Sequence, residues 1–226
     1  MFNDFKNKID FFIRNKTKFS RKNFVENNPD IIERIRNENS YIYDLLKRYF
    51  VKNNKNELKI LDIGSKNWYY AKAEYDYFNS FCNNVYLDGV ELDAYRLYTN
   101  LYSRYEVAKY YIKNLSNTRY LPQNLLDINE KYDYITWFLP FVIKEPLLYW
   151  GLPEKYFLPK ELLAHAYSLL NSQGQMLIIN QGEIEAIEQE KLLKELLIPY
   201  KNIGEISSHK FKYKNKRYGY IITKYD

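Results

Sequence analysis

The stretch LKILDIGSKNWYYA, residues 58–71, decides how the rest of the chain is read. An apolar run carries Asp62 near its end, turns at Gly64, and passes Lys66, Asn67 and Trp68 before a helical pattern begins. A short apolar run closed by glycine reads as a buried strand. Gly64 supplies the left-handed backbone of a sharp exit and lets a ligand approach the main chain, while the free N–H groups of a following helix start attract a negatively polarised group. Alone, the stretch fits either a nucleotide-binding turn or an ordinary strand-to-helix corner.

The downstream pattern favours the first reading. Apolar runs recur at 85–92 (VYLDGVEL), 132–139 (YDYITWFL), 174–180 (GQMLIIN), 202–207 and 218–224, and helical patterns fall at 68–81, 94–112, 159–171 and 184–197. Such alternation builds a mostly parallel sheet covered by helices on both faces. The last two runs, joined by a basic segment with no helical pattern, predict an antiparallel pair closing the sheet. Upstream, Pro29 stands where a helix can start, and Ile31, Ile32, Ile35, Ile42, Leu45, Leu46 and Tyr49 recur at three- and four-residue steps, predicting a helical cap over 1–55. VKNNKNE breaks that pattern, so the α/β domain is expected over 56–226.

Composition narrows the function classes. The 226 residues suit one domain with an elaboration. Tyr 25, Phe 13 and Trp 3 make 18% of the chain, so large amphipathic rings are expected to line any groove. A net charge of +6 points to an acidic partner, although richness in Lys, Asn, Ile and Tyr together also fits an AT-rich coding sequence. One cysteine, Cys82, excludes an internal disulfide, and with His165 and His209 it gives no zinc-ligand spacing, so no metal is expected. The first nineteen residues mix acids with bases and lack a continuous apolar core, which reads as neither signal peptide nor membrane span and predicts a cytoplasmic protein.

In an open α/β sheet the ligand lies beyond the carboxyl ends of the strands, where strand order reverses. The second run ends GVELD, setting Glu91 at the strand tip, where a carboxylate can accept two charge-assisted hydrogen bonds from a ribose diol. Asp93 just beyond reads equally well as the cap of the 94–112 helix.

The succession ILDIGS, GVELD, YDYITWFLP, LLNSQGQMLIIN and a terminal strand pair resembles the class I methyltransferases that use S-adenosylmethionine, over residues 57–226. The resemblance implies a Rossmann-like, doubly wound, mostly parallel seven-stranded sheet with an antiparallel final strand. It further implies that Asp62, Gly64, Ser65, Lys66 and Asn67 cradle the methionine part, that Glu91 and Leu92 hold the ribose, and that Trp137 lies against the cofactor. Either Asn124 or Asp127 meets the adenine, with Asn124 the better placed by its distance from Tyr132. The chain departs from the family where further glycines usually stand: Lys66 and Trp68 occupy those positions, and no G-x-G-x-x-G motif for a dinucleotide is present. The Asn or Asp that precedes Pro-Pro-aromatic in amino-group methylators is also lost from FLPF, 138–141, which argues against methylation of a base nitrogen.

The segment 137–159 is long for a connection and dense in aromatic residues and proline, as functional lids are. Phe138, Pro140, Phe141 and Trp150 from this lid, with Asn180, are the expected acceptor wall, and Tyr149 and Tyr156 are further candidates. Glu183 is the candidate base, in competition with a capping role at a helix start. His165, inside a helical pattern, reads as a packed residue. The alternative function is nucleic-acid binding without catalysis, through the basic cap and KFKYKNKR, 210–217, with aromatic rings for base stacking.

Overall fold

The computed structural model describes residues 29–98 and 101–225, so residues 1–28 of the cap expected over 1–55 lie outside the described residues. Helix α1 (Pro29–Tyr49) precedes β1 (Glu57–Ile63), α2 (Ala71–Asn79), β2 (Asn84–Val90), α3 (Arg104–Ile112), β3 (Thr118–Leu121) and β4 (Tyr132–Phe138). Then come α4 (Lys144–Tyr149), α5 (Pro159–Ser168), β5 (Leu170–Gln181), α6 (Gly182–Glu195), β6 (Lys201–Ile206) and β7 (Arg217–Thr223). The strands form one sheet in the order β3-β2-β1-β4-β5-β7-β6. Pairing is parallel from β3 to β5 and antiparallel on both sides of β7. This is the Rossmann-like, doubly wound arrangement expected, with the final strand reversed and inserted beside β5.

Central strands carry near-continuous apolar runs because both faces are covered. Leu58 and Ile60 of β1, Leu87 of β2, Tyr134 of β4 and Leu177 of β5 pack on one face against Leu45, Leu46, Tyr77, Phe78 and Ala108 from α1 to α3. Leu61, Ile63, Ile135, Met176 and Ile178 pack on the other face with Leu163, Ala166 and Leu193 of α5 and α6. Helix α1 buries Tyr41, Ile42, Leu45 and Leu46, and its exit is tied to the sheet. The Val51 N–H donates to Gln175 Oε1 at 2.9 Å, and the Val51 carbonyl accepts from Tyr134 at 2.7 Å.

Two elements differ from the sequence reading. Strand β3, TRYL, is a four-residue edge strand with one buried residue, Tyr120, too short and polar for its period to show. The helix expected over 94–112 begins only at Arg104: Ser103 accepts from the Glu106 N–H while Glu106 accepts from the Ser103 N–H, a complete capping box. Residues 93–98 instead turn back, with the Tyr98 N–H donating to the Tyr102 carbonyl at 2.8 Å. Asp93 is therefore not a helix cap; it pairs with Arg96 at 2.5 Å and Arg104 at 3.3 Å.

The topology positions the site. From β1 the chain moves outward through β2 and β3, then returns to the other flank of β1 at β4, and this reversal opens a crevice at the carboxyl ends. Register pairs Ile63 with Val90, so Gly64 and Glu91 leave the sheet side by side. The Gly64 and Ser65 N–H groups both donate to the Val90 carbonyl, at 2.9 and 3.2 Å.

Gly89, one residue before that carbonyl, lies under Trp68, and a Cβ there would meet Ser65 Oγ at 2.6 Å and the indole edge at 2.8 Å. Both neighbours are fully buried and unable to retreat. Gly89→Ala is expected to cost about 1–3 kcal/mol by overpacking, read as a lower midpoint in equilibrium urea unfolding. An unchanged midpoint would contradict the indole's placement against β2.

Candidate functional site

Three alternate residues of the β1 loop share the left-handed region: Gly64 at φ 74°, Lys66 at φ 54° and Trp68 at φ 47°. The backbone thus adopts glycine-type conformations at two positions that carry large side chains, at a cost of about 1–2 kcal/mol per residue. Specific contacts offset that strain. The Lys66 N–H donates to Glu91 Oε2 at 2.9 Å, and the Lys66 carbonyl accepts from the Tyr120 hydroxyl. The Trp68 N–H donates to the Ser65 carbonyl at 2.8 Å, and its indole N–H donates to Glu74 at 3.0 Å. The indole is fully buried in the core beneath the loop, which leaves the crevice open. Gly64 faces open space: a Cβ there would meet nothing within 4 Å.

The crevice opens into a cavity of about 410 Å³ at the ends of β1, β2, β4 and β5, roofed by the lid and bordered by α1, α6 and β7. That volume is in the range of small-molecule sites. Among the residues proposed from sequence, Gly64, Lys66, Glu91, Leu92, Asn124, Trp137, Phe138, Pro140, Phe141 and Trp150 line it. Asn124 faces it while its Oδ1 accepts from the Leu126 N–H at 3.1 Å, whereas Asp127 is exposed. Tyr156 lines it, and Tyr149 is 90% exposed and points away. Lys66 Nζ and the Arg104 guanidinium lie 4.7 and 4.9 Å from the Trp150 ring centre, while Arg96 donates to the Trp150 carbonyl, so the lid is clamped over the loop.

Ser65, Asn67, Asn180, Asp62 and Glu183 do not line the cavity. Ser65 is buried, donating to the Asp62 carbonyl at 3.0 Å, and Asn67 is half-buried. Glu183 is exposed at the start of α6, whereas Glu185, which the sequence reading missed, is buried at the cavity wall. Glu185 Oε2 accepts the Gln181 N–H at 2.8 Å, and burial raises its carboxyl above the usual range. Gln181 lines the cavity at the end of β5, and Gln189, Arg217, Tyr213 and Tyr41 also line it without having been singled out. They reach it from the last strand, its preceding segment and two helices, a convergence that no local pattern signals; the four-residue spacing of Glu185 and Gln189 on one helical face was the available clue. His165 is a packed residue, its Nε2 lying 2.9 Å from the Ile128 carbonyl.

The segment 210–217 folds back over the sheet. Tyr213 packs edge-on against Tyr41 with centroids 5.2 Å apart and lies under the Arg217 guanidinium at 4.4 Å, and Phe211 packs on Tyr213. Its lysines face outward and its rings inward. Among the described residues no group of three or more His, Cys, Asp or Glu side chains is placed to hold a metal, and no helix is long and apolar enough to cross a membrane.

Asp62 lies beneath the loop in a chain of buried acids. Its Oδ2 accepts from Tyr70 at 2.8 Å, and its Oδ1 is 3.0 Å from the Thr136 hydroxyl, which is 2.7 Å from Glu74 Oε1. A hydroxyl has one proton to give, so one of its two carboxyl partners must itself donate. Burial pushes Asp62 up to about 7 against the hydrogen bond from Tyr70, and pushes Glu74 well above the carboxylate range. With burial raising it well above the carboxylate range, Glu74 is assigned the donated proton: it donates to Thr136, which donates to Asp62, while its other oxygen accepts from the Trp68 indole.

Both acids bind protons more tightly folded than unfolded. Their contribution to stability is full below about pH 4 and is lost as pH rises through about 7 for Asp62 and through the raised value of Glu74. Glu74→Gln retains an acceptor for the indole and a donor for Thr136 without a titrating proton. Thermal unfolding between pH 5 and 9 is expected to give a flatter decline with rising pH for this variant than for the wild type; parallel curves would contradict a protonated Glu74.

No protein family and no curated protein matches this sequence. Solved structures do match by shape. A SAM-dependent methyltransferase from Aquifex aeolicus aligns with TM-score 0.57 at 14% identity, covering 87% of this chain and 93% of that one. The plantazolicin methyltransferase BpumL in complex with SAH aligns with TM-score 0.52 at 14% identity, covering 94% and 99%. A methyltransferase from Pyrococcus furiosus aligns with TM-score 0.55 at 21% identity, covering 84% and 83%. The chain has the fold of the class I methyltransferases.

Proposed function

We propose that this protein is a methyltransferase that binds S-adenosylmethionine across the ends of β1 and β2 and methylates an acceptor held in the same cavity beneath the lid. The observation that carries the reading is the pairing of Gly64, whose main chain opens on empty space, with Glu91, whose carboxylate borders the same cavity. Each Glu91 oxygen accepts one backbone N–H, from Lys66 at 2.9 Å and from Asp93 at 2.8 Å. A carboxylate has about four acceptor sites, so both oxygens retain lone pairs for the ribose hydroxyls.

In this reading Asn124 offers its amide to the adenine, Leu92 and Trp137 supply apolar walls, and Lys66 complements the carboxylate at the amino-acid end. Asp62 and Ser65 act from behind, holding the loop, the former through Tyr70 and the latter through the Asp62 carbonyl. The sulfonium, when bound, supplies a methyl group already activated for in-line displacement. What this chain adds is alignment of the acceptor, an effect worth roughly 7–11 kcal/mol, and exclusion of water by Phe138, Pro140, Phe141 and Trp150. Where the acceptor must lose a proton, Glu185 is the carboxyl at the cavity wall placed to receive it, in place of the exposed Glu183. A cytoplasmic location accords with the free, buried Cys82.

Calorimetry with S-adenosylhomocysteine tests the reading. The wild type is expected to bind, and Glu91→Ala to bind at least about tenfold more weakly through loss of charge-assisted bonds. Gly64→Ala, which has room for its methyl group but places it in the crevice, is expected to remain folded by circular dichroism and lose binding. No binding by the wild type, or unchanged affinity in both folded variants, would refute it.

A further inference from the structure

The far wall of the cavity carries a carboxamide that the fold leaves unsatisfied, and a second lies buried outside the lining. Gln189 of α6 is 1% exposed and borders the cavity, yet neither its Oε1 nor its Nε2 has a hydrogen-bond partner among the described residues. Asn180, at the end of β5 on the sheet face that packs against α6, is 0% exposed with both amide atoms likewise unpaired. Buried polar atoms without partners are exceptions in native proteins, and each one costs free energy. A whole carboxamide left unpaired where it borders a cavity indicates a ligand.

The chemistry of the wall restricts that ligand. A carboxamide presents a donor and an acceptor side by side, so its full complement is another planar group with the same two functions adjacent. The surroundings are apolar, with Trp137, Leu163 and Leu192 lining the same cavity. The nearby cation is already held: Arg217 Nη1 donates to Gln181 Oε1 at 2.8 Å and its plane lies over Tyr213, while Glu185 adds a buried carboxyl beside it. An anionic ligand would be desolvated here beside a buried carboxyl and would have to compete for a guanidinium already held by Gln181 and Tyr213. The wall is also remote from the ribose position, since β5 stands three strands from β2, roughly 14 Å at ordinary strand spacing.

We propose that Gln189 is the specificity-determining residue of an acceptor site that takes a neutral molecule bearing a carboxamide-type edge, such as a carboxamide or a lactam ring. As an acceptor site it rests on the cofactor reading above.

The test uses benzamide as probe, with benzoate and ethylbenzene as charged and apolar counterparts, by ligand-observed NMR on the full chain saturated with S-adenosylhomocysteine. Benzamide is expected to bind at least about tenfold more tightly than either counterpart, and Gln189→Leu to abolish that preference while keeping wild-type affinity for S-adenosylhomocysteine. Because the substitution exchanges an unpaired carboxamide for an alkyl group of similar size, its Tm without probe is expected at or above that of the wild type. Equal binding of ethylbenzene and benzamide, a retained benzamide preference in Gln189→Leu, or a lowered Tm in that variant would each overturn the proposal. If S-adenosylhomocysteine fails to bind while the benzamide preference and its dependence on Gln189 persist, the cofactor reading falls and the carboxamide site stands.

Discussion

The carboxylate of Glu91 is the joint on which the binding end of the sheet depends. Its two oxygens accept the N–H of Lys66 from the β1 loop and of Asp93 from the turn after β2, and Arg104 lies 3.7 Å away. Two loops that would otherwise move independently are thereby fixed to one strand end, with the charge held by backbone dipoles and a nearby cation. The same atom group borders the cavity. It therefore serves as a structural acceptor and, with its remaining lone pairs, as a ligand site, which explains why an acid at this strand tip is useful before any ligand arrives.

That joint also explains how a loop can keep a glycine-type path without the glycines. Left-handed backbone at Lys66 and Trp68 costs stability. The bond from the Lys66 N–H to Glu91 offsets the first, and burial of the Trp68 indole with its bond to protonated Glu74 offsets the second. The two side chains take opposite routes. Trp68 descends into the core against Gly89, so bulk at that position strengthens the floor of the crevice instead of blocking it. Lys66 stays at the cavity and meets the lid through Trp150.

The sheet was legible because alternation of apolar runs with helical patterns is a long-range statistical signal, and the strand-end rule then placed Gly64 beside Glu91. Parallel pairing of Ile63 with Val90 makes that adjacency a matter of register. What escaped were features that depend on local competition or on convergence in space. Ser103 and Glu106 stop the tyrosine-rich helix pattern from extending back to residue 94, and polar β3 has no apolar run to reveal it. Asp62 and Asn180 sit at strand ends as the pattern requires, but their side chains are fully buried and do not border the cavity. Arg217, Gln189 and Tyr41 reach the cavity only because β7 inserts beside β5 while α1 and α6 cover opposite faces. No spacing in the sequence encodes that meeting.

Hydrogen exchange at the Lys66 amide tests the joint most directly, because that one N–H reports both the loop's anchorage and the ligand's effect on it. The account predicts slow exchange in the free protein, slower still with S-adenosylhomocysteine bound. Exchange at the rate of an unstructured amide in both states would contradict it.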